Sequence, residues 1–399
     1  MNSASLPEQH LVVVTEHFSP SSTATAQLIA DLVDQLAREY SITVLTSTVS
    51  ESTDSNSFYV VRFPSPVKSS TNVLSKTLAG LSFLYSATRW LLLFSRSNSK
   101  LLIVSNPPFI GAIGLFARLF KSSKYVYLLQ DLFPRSAVLT GLLPARGPIT
   151  YLWQLFMSLV LTASTRVIVL NSLMTRRCIQ DFSLPDSKVI SIDNWAVEHA
   201  SLLPKSANPL ARQWNTYNTF TVQYSGNFGR LHDILTILEA SRLLCDKPIK
   251  FTFIGNGAKR CQISMYKELF NLDNVTLYPY QSRSNLTYSL GACDISIISM
   301  IPGSEDTVAP SKFYGIIASG KPVLLIGNPN SDIAQLILKH KCGIVSATGD
   351  PVGLTRSILD LQTNPEMLYA YGMNALKLYQ QHYGILSSSK KYSQLFNSF

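Results

Sequence analysis

The chain has 399 residues, more than one ordinary hydrophobic core organises, so two domains of about 150 to 220 residues are expected. Its residues are 46% hydrophobic and only 15% charged, which excludes intrinsic disorder, and five cysteines without CxxC or Cys/His ligand spacing exclude a small disulfide scaffold. The formal net charge of +10 calls for an acidic partner, whether nucleic acid, an anionic membrane or a phosphorylated substrate.

In chain order, MNSASLPEQH shows no basic region leading into an apolar core, so no secretory signal is expected before the first strand and the expected compartment is cytoplasmic. Short β-branched runs follow at 10–16, 41–47, 101–106, 125–131 and 166–171, separated by stretches such as 25–39 with apolar residues three and four apart. The runs lack polar alternation, as strands buried on both faces do, and predict a parallel α/β sheet. After the turn-rich stretch 203–218 the pattern restarts at 220–226, 249–255, 274–280, 293–300, 322–327 and 343–347. Two doubly wound domains are therefore expected, residues 1–200 and 201–375, each offering the carboxyl ends of its strands to a ligand. Residues 376–399 read as a further helix.

Charge is spread unevenly. Between Asp54 and Asp181 the one carboxylate is Asp131, against fourteen cations from Arg62 to Arg177. The same region holds the apolar runs 80–95 and 109–120, edged by Arg and Lys. Arg89 splits the first and Asn106-Pro107-Pro108 precedes the second, so both read as interfacial helices suited to an anionic membrane surface rather than as spans. No aromatic-basic strip or recognition module is visible, and nucleic acid is not expected as the partner.

The most informative motif is YSGNFGRLHDILTILEAS at 224–241: strand, glycine turn, amphipathic helix. Gly226 and Gly229 let backbone approach a ligand, with Asn227 between them, amides and helix N-terminus aimed at an anion, and Arg230 at the helix entrance as a planar donor fork. His232 falls on the expected first helical turn and could also face a diphosphate. In APSKFYGIIASGKPVLL, 309–325, Ser311 and Lys312 stand at a helix start, where Lys312 supplies a second cation. Asp131 closes the run YVYLLQD at a strand's carboxyl end; pairing with Arg135 and a place at the reaction centre, holding an acceptor hydroxyl or acting as base, both remain open. His17, just after the first strand, stands equally between capping and a ligand contact.

At these motifs the chain resembles, over nearly its whole length, the retaining glycosyltransferases of family 4. TEHFSP (15–20), SNPP (105–108), LLQDLFPRSA (128–137) and DNW (193–195) resemble the N-domain of bacterial polysaccharide transferases, and YSGNFGRLHD, FIGNGAKR and PSKFYGIIASGKPV their C-domain. The similar branch is that of WbuB-like amino-sugar transferases. The resemblance implies a GT-B fold, with two Rossmann-like domains facing a cleft and the last helix crossing back to the N-domain. It implies a nucleotide-sugar donor in the C-domain and a polyprenyl-linked or glycan acceptor in a membrane-facing N-domain. The enzyme would then be peripheral on the inner face of the cytoplasmic membrane.

Two departures from the family stand out. The glycine-rich loop after the first strand is here Ser21-Ser22-Thr23-Ala24-Thr25, and the second glutamate of E-x7-E, which holds the ribose, is Gly315. Glu305, Asp306, Ser311 and His232 are left as candidates for donor sugar or ribose, beside Gly226, Asn227, Gly229, Arg230 and Lys312 for the diphosphate and Asp131 and His17 for catalysis. No Asp-x-Asp occurs, so no metal or other cofactor is expected and the nucleotide-sugar is a substrate. A non-catalytic nucleotide-sugar-binding or scaffold protein and a sugar-nucleotide epimerase on the same architecture remain as alternatives.

Overall fold

The computed structural model describes residues 9–21, 23–48, 57–64, 73–97, 99–107, 109–196 and 200–399. The chain divides into two compact units, one of Met1–Asp193, Thr307–Ala309 and Ile385–Phe399, the other of Asn194–Asp306 and Pro310–Gly384. The division falls at Asp193 rather than at 200, and the segment rejoining the first unit begins at Ile385 rather than at 376.

In the first unit the elements run β1 (His10–Val14), α1 (Ala24–Leu36), β2 (Ser41–Thr46), β3 (Tyr59–Arg62), α2 (Val73–Phe94), β4 (Lys100–Val104), α3 (Gly111–Lys121), β5 (Lys124–Leu128), α4 (Arg135–Leu139), α5 (Pro148–Ala163), β6 (Arg166–Val169), α6 (Ser172–Phe182) and β7 (Val189–Ser191). All pairings are parallel, in the order β3-β2-β1-β4-β5-β6-β7. Leu11–Val14, Leu101–Val104 and Tyr125–Leu128 are buried without interruption, because helices cover both faces of the sheet and no alternate residue meets water.

The strand run 125–131 proves shorter than its hydrophobicity suggests. β5 ends at Leu128, and Asp131 instead forms an isolated antiparallel bridge with Val308, next to a bond from the Leu132 amide to the Thr307 carbonyl of 2.9 Å. The run 80–95 is longer than it suggests: α2 has 22 residues, and its stretch Thr77–Phe94 is long and apolar enough to cross a membrane by length and composition. Phe83, Ala87 and Leu91, four residues apart, are nevertheless buried in this unit while Leu78, Leu81, Tyr85, Leu93 and Phe94 are exposed. The helix lies on the unit by one stripe, a tie that a spanning position would break.

The second unit runs α7 (Pro209–Gln213), β8 (Phe220–Ser225), α8 (Leu235–Leu243), β9 (Ile249–Ile254), α9 (Arg260–Leu269), β10 (Val275–Tyr278), α10 (Leu286–Gly291), β11 (Ile295–Ser299), α11 (Lys312–Ala318), β12 (Val323–Ile326), α12 (Asp332–Lys339), β13 (Gly343–Ser346), α13 (Pro351–Thr363) and α14 (Pro365–His382). The sheet is again parallel, ordered β10-β9-β8-β11-β12-β13. The order reverses between β8 and β11, and the loops leaving those two strands enclose the crevice where such sheets bind ligands. A core of Val222, Tyr224, Phe228, Ile237, Phe251, Phe253 and their neighbours fixes one face. Lys205 secures the sheet's base, its ammonium 2.5 Å from Asp294, whose carboxylate also accepts the Thr221 amide at 2.7 Å.

The last helix, α15 (Ile385–Asn397), belongs to the first unit. Tyr40 donates to the Asn397 side-chain oxygen at 2.6 Å and Lys100 to the Phe396 carbonyl at 2.7 Å. The two chemically expected domains are thus both α/β Rossmann-like sheets.

Candidate active site

The site grows from strand register. β8 and β9 pair from Phe220 with Ile249 to Ser225 with Ile254, so Gly226 and Gly255 emerge side by side. Gly226 has φ +117° and donates to the Ile254 carbonyl at 2.8 Å; Gly255 has φ +134°, and a Cβ there would sit 2.1 Å from the Gly226 oxygen. Left-handed backbone and van der Waals overlap both demand glycine. The turn is pinned from below by the Phe228 amide on Asn256 O, 2.9 Å. The amides of Gly229, Arg230 and Leu231 donate to nothing among the described residues, leaving three N–H groups for an anion.

Lys312, the first residue of α11, folds over this turn. Its ammonium donates to Tyr224 Oη at 3.0 Å and to the Asn227 carbonyl at 2.9 Å and lies 4.5 Å from the Tyr224 ring centroid. A Cβ on Gly226 would meet Lys312 Cε at 2.9 Å, so glycine here makes room for the lysine stem. Burial without a carboxylate pulls the Lys312 pKa down to about 7. Asn227 and Arg230 are exposed on the rim.

The helix after the turn starts later than expected. α8 begins at Leu235, and Asp233 already takes its leading amide, Thr236 N, at 3.2 Å as well as the Thr236 hydroxyl and Gly349 N. The expectation that a helix N-terminus faces the anion is therefore corrected, because a buried carboxylate fills that position and loop amides provide the donors. Arg230 and His232 accordingly lie in the turn, not on the helix. His232 is half-buried, with Nδ1 2.9 Å from the Ser299 carbonyl at the end of β11. Burial, then Lys312, hold its pKa near 3.

Glu305 lies in the loop after β11, tied to the turn by the Ile301 amide on Leu231 O at 3.0 Å. It is 8% exposed and its Oε1 is buried with no hydrogen-bond partner. A buried carboxylate oxygen left open here suits a ligand hydroxyl. Asp306 follows in the same turn, and Ser311 precedes α11 with no side-chain cap bond. Gly315 lies within α11, partly buried, where an added Cβ would meet Leu290 Cδ1 at 3.3 Å and no other atom within 4 Å.

Lys259 and Arg260, which follow the second glycine turn in FIGNGAKR, escaped the sequence reading as site residues. Lys259 donates to His232 O and Arg260 to Gly255 O at 2.8 Å, so two more cations brace the glycine turns. The signal was present in the Lys-Arg pair just after Gly257.

Asp131 and His17 lie in the first unit, after β5 and β1, with β4 between those strands. No hydrogen bond or ion pair joins the two. Asp131 makes no ion pair with Arg135 or any other described residue, and burial raises its pKa to about 6. His17 contacts its neighbour Glu16 at 3.6 Å, and its carbonyl accepts from Thr15 Oγ1. In the 21–25 loop Ser22 is outside the described residues, while Thr23 caps α1 through the Ala26 amide.

Residues 211–378 match the family Glycosyl transferases group 1. The probable glycosyltransferase WbjE of Pseudomonas aeruginosa is 28% identical over 371 residues, spanning 87% of this chain and 88% of that protein. The sucrose-phosphate synthase of Thermosynechococcus elongatus superposes with a TM-score of 0.79 at 14% identity over 98% of both chains. Anabaena HepE, solved with UDP and glucose, gives 0.73 at 12% identity over 98% of this chain and 100% of its own. The likeness to these structures gives the fold, GT-B, and the family match covers most of the second unit. The likeness to WbjE runs through both units.

Proposed function

We propose that the protein is a retaining, metal-independent glycosyltransferase that moves a sugar from a nucleotide-sugar to a lipid-linked or polysaccharide acceptor in surface glycan synthesis. The observation that carries this reading is the turn 226–231, where three unused amides lie beside the Lys312 ammonium. Such a preorganised set of donors suits the diphosphate of a leaving nucleotide, and HepE, of the same fold, holds UDP. Arg230 adds a mobile cation from the rim. Glu305 receives a hydroxyl of the donor. The sequence contains no Asp-x-Asp pair, and the leaving group's charge is neutralised by these side chains and amides.

In the reaction the bond between the anomeric carbon and the diphosphate oxygen breaks, and the acceptor oxygen bonds that carbon on the same face. The hydroxyl proton passes to the departing phosphate, and Asp131 accepts a hydrogen bond from a neighbouring hydroxyl of the acceptor, which positions it. The acceptor is held at a membrane surface by α2, α3 and α5. Phe116, Leu119, Phe120, Leu152 and Leu155 are exposed there, with Arg118 and Lys121 beside them. Apolar helices with basic rims bind anionic leaflets, about 1 kcal/mol for each nearby cation.

The test is thermal stabilisation by UDP, GDP, ADP and their sugar conjugates, in the wild type and in Arg230→Ala and Lys312→Ala. Ligand at about a hundred times its Kd adds about 2.7 kcal/mol. Stabilisation by one nucleotide class, weakened in Arg230→Ala and weakened further in Lys312→Ala, is expected; no response to any would overturn the reading. Turnover of that donor only with a polyprenyl-diphosphate glycan present separates transfer from epimerisation and from a binding protein.

A further inference from the structure

We infer that His232 reads a hydroxyl or N–H group of the bound donor as a hydrogen-bond acceptor, through Nε2 of a neutral imidazole locked in one tautomer. This rests on the donor reading above and assigns His232 a role that differs from that of every cation around it. A backbone carbonyl only accepts, so the 2.9 Å contact with Ser299 O places the proton on Nδ1. Nε2 then carries a lone pair.

Three further contacts fix the ring. Its own amide donates to Gly229 O at 3.2 Å, its carbonyl accepts from Lys259, and its edge meets the Tyr224 ring at 6.1 Å and 75°. The free edge lies over Gly229, where a Cβ would come within 2.9 Å of Cδ2 and 3.2 Å of Nε2. Glycine at 229 thus makes room for the imidazole, and among the described residues Nε2 has no hydrogen-bond partner.

A second proton is opposed by burial and by the cations near the ring, which outweigh the bond to Ser299. Lys312 on α11 and Lys259 before α9 are cationic neighbours, and the carboxylate next in the chain, Asp233, is engaged by Thr236 and Gly349. An ionised phosphate oxygen would set lone pair against lone pair at Nε2. A hydroxyl or N–H complements it. The ring leans toward the end of β11, the side from which the Glu305 loop departs, so two acceptors mark one flank of a turn otherwise lined with donors. The hydroxyl-bearing part of the donor belongs on that flank.

The test compares UDP with UDP-glucose and GDP with GDP-mannose by titration calorimetry on the wild type, His232→Asn and His232→Gln. Asparagine keeps an N–H for Ser299 O and removes the Nε2 acceptor; glutamine returns an amide oxygen near Nε2. Asparagine should leave binding of the sugar-free nucleotide within about twofold and weaken its sugar conjugate about three- to tenfold, with partial recovery in glutamine. In ¹⁵N spectra of the wild type, the His232 imidazole should stay neutral and Nδ1-protonated with the nucleotide and its conjugate bound. Equal weakening of nucleotide and conjugate, or a doubly protonated imidazole in the wild-type complex, would overturn the inference. If the folded wild type binds none of the four, the donor reading itself falls and this inference with it.

Discussion

Helices α2, α3 and α5 of the first unit carry no carboxylate at all, whereas α8, α9, α12, α13 and α14 of the second each carry at least one. The same βα repeat has been specialised on different surfaces. In the first unit the change is on the outer faces of the covering helices, where Leu119, Phe120, Leu152 and Leu155 meet solvent. In the second it is at the strand ends, where Gly226 and Gly255 bring backbone into contact and leave amides unspent. A helix face is decided by composition over several turns. A strand-end site is decided by single residues in register, so the two units should fail in different ways when altered.

The largest separation is expected from Gly255→Ala. Its Cβ would overlap the Gly226 oxygen at 2.1 Å with φ at +134°, so the turn must open. Nucleotide stabilisation should vanish and the protein should lose about 2–3 kcal/mol in denaturant titration, while vesicle binding by the first unit persists.

Lys312→Ala should lower turnover about a hundredfold with the fold intact, as removal of one preorganised donor to a leaving group does. Because the Lys312 pKa is lowered to about 7, the charge that attracts the diphosphate is about half present at pH 7, grows below it and is progressively lost above it. Nucleotide affinity in the wild type should fall with rising pH above 7, by at most about tenfold per unit, and the Lys312→Ala variant should lack that slope. Affinity independent of pH between 6.5 and 8.5 would remove the lysine from the site.

Asp131→Asn sharpens the contrast from the other unit. Turnover should fall about tenfold to a hundredfold with nucleotide stabilisation unchanged. Its folded pKa is raised to about 6 from 3.8, so the folded state disfavours the ionised form. That cost is absent below pH 4 and complete above pH 6. The asparagine variant should therefore melt a few degrees higher than the wild type at pH 7.5 and equally at pH 4. A lower Tm at pH 7.5 would show that the carboxylate is structural.

The smallest effect is expected from Leu119→Asp on α3, 73% exposed. It should cost about tenfold in sedimentation with anionic vesicles, change soluble nucleotide binding little, and leave Tm within a degree. Retained vesicle binding would free this face from the membrane.

The architecture was legible because strands buried on both faces leave uninterrupted β-branched runs, and 10–16, 41–47 and 220–226 all contain the strands they announce. Boundaries were not: YVYLLQD stays apolar to Leu129 although the ladder stops at Leu128, because a bridge to the distant Val308 captures Asp131. The apolar helix α5 went unnoticed, since a hydrophobic stretch between two loops announces neither its length nor which side packs. Of the residues gathered at the glycine turn, Gly226, Arg230 and Lys312 were read from local motifs. Lys259 and Arg260 were missed because they act through backbone carbonyls, Lys259 on His232 twenty-seven residues earlier in the chain.

Sequence alone determined the repeat of parallel α/β units, the basic apolar region between Asp54 and Asp181, and the presence of a glycine turn followed by cations. Each of these follows from residue type and short-range spacing. Tertiary structure decided that Gly226 lies against Gly255, that Lys312 bends back to Tyr224, that Asp233 and not a ligand occupies the start of α8, and that Ser299 sets the tautomer of His232. Those facts depend on pairing between segments far apart in the chain, where angstrom-scale overlap and hydrogen-bond direction assign the chemistry of each residue.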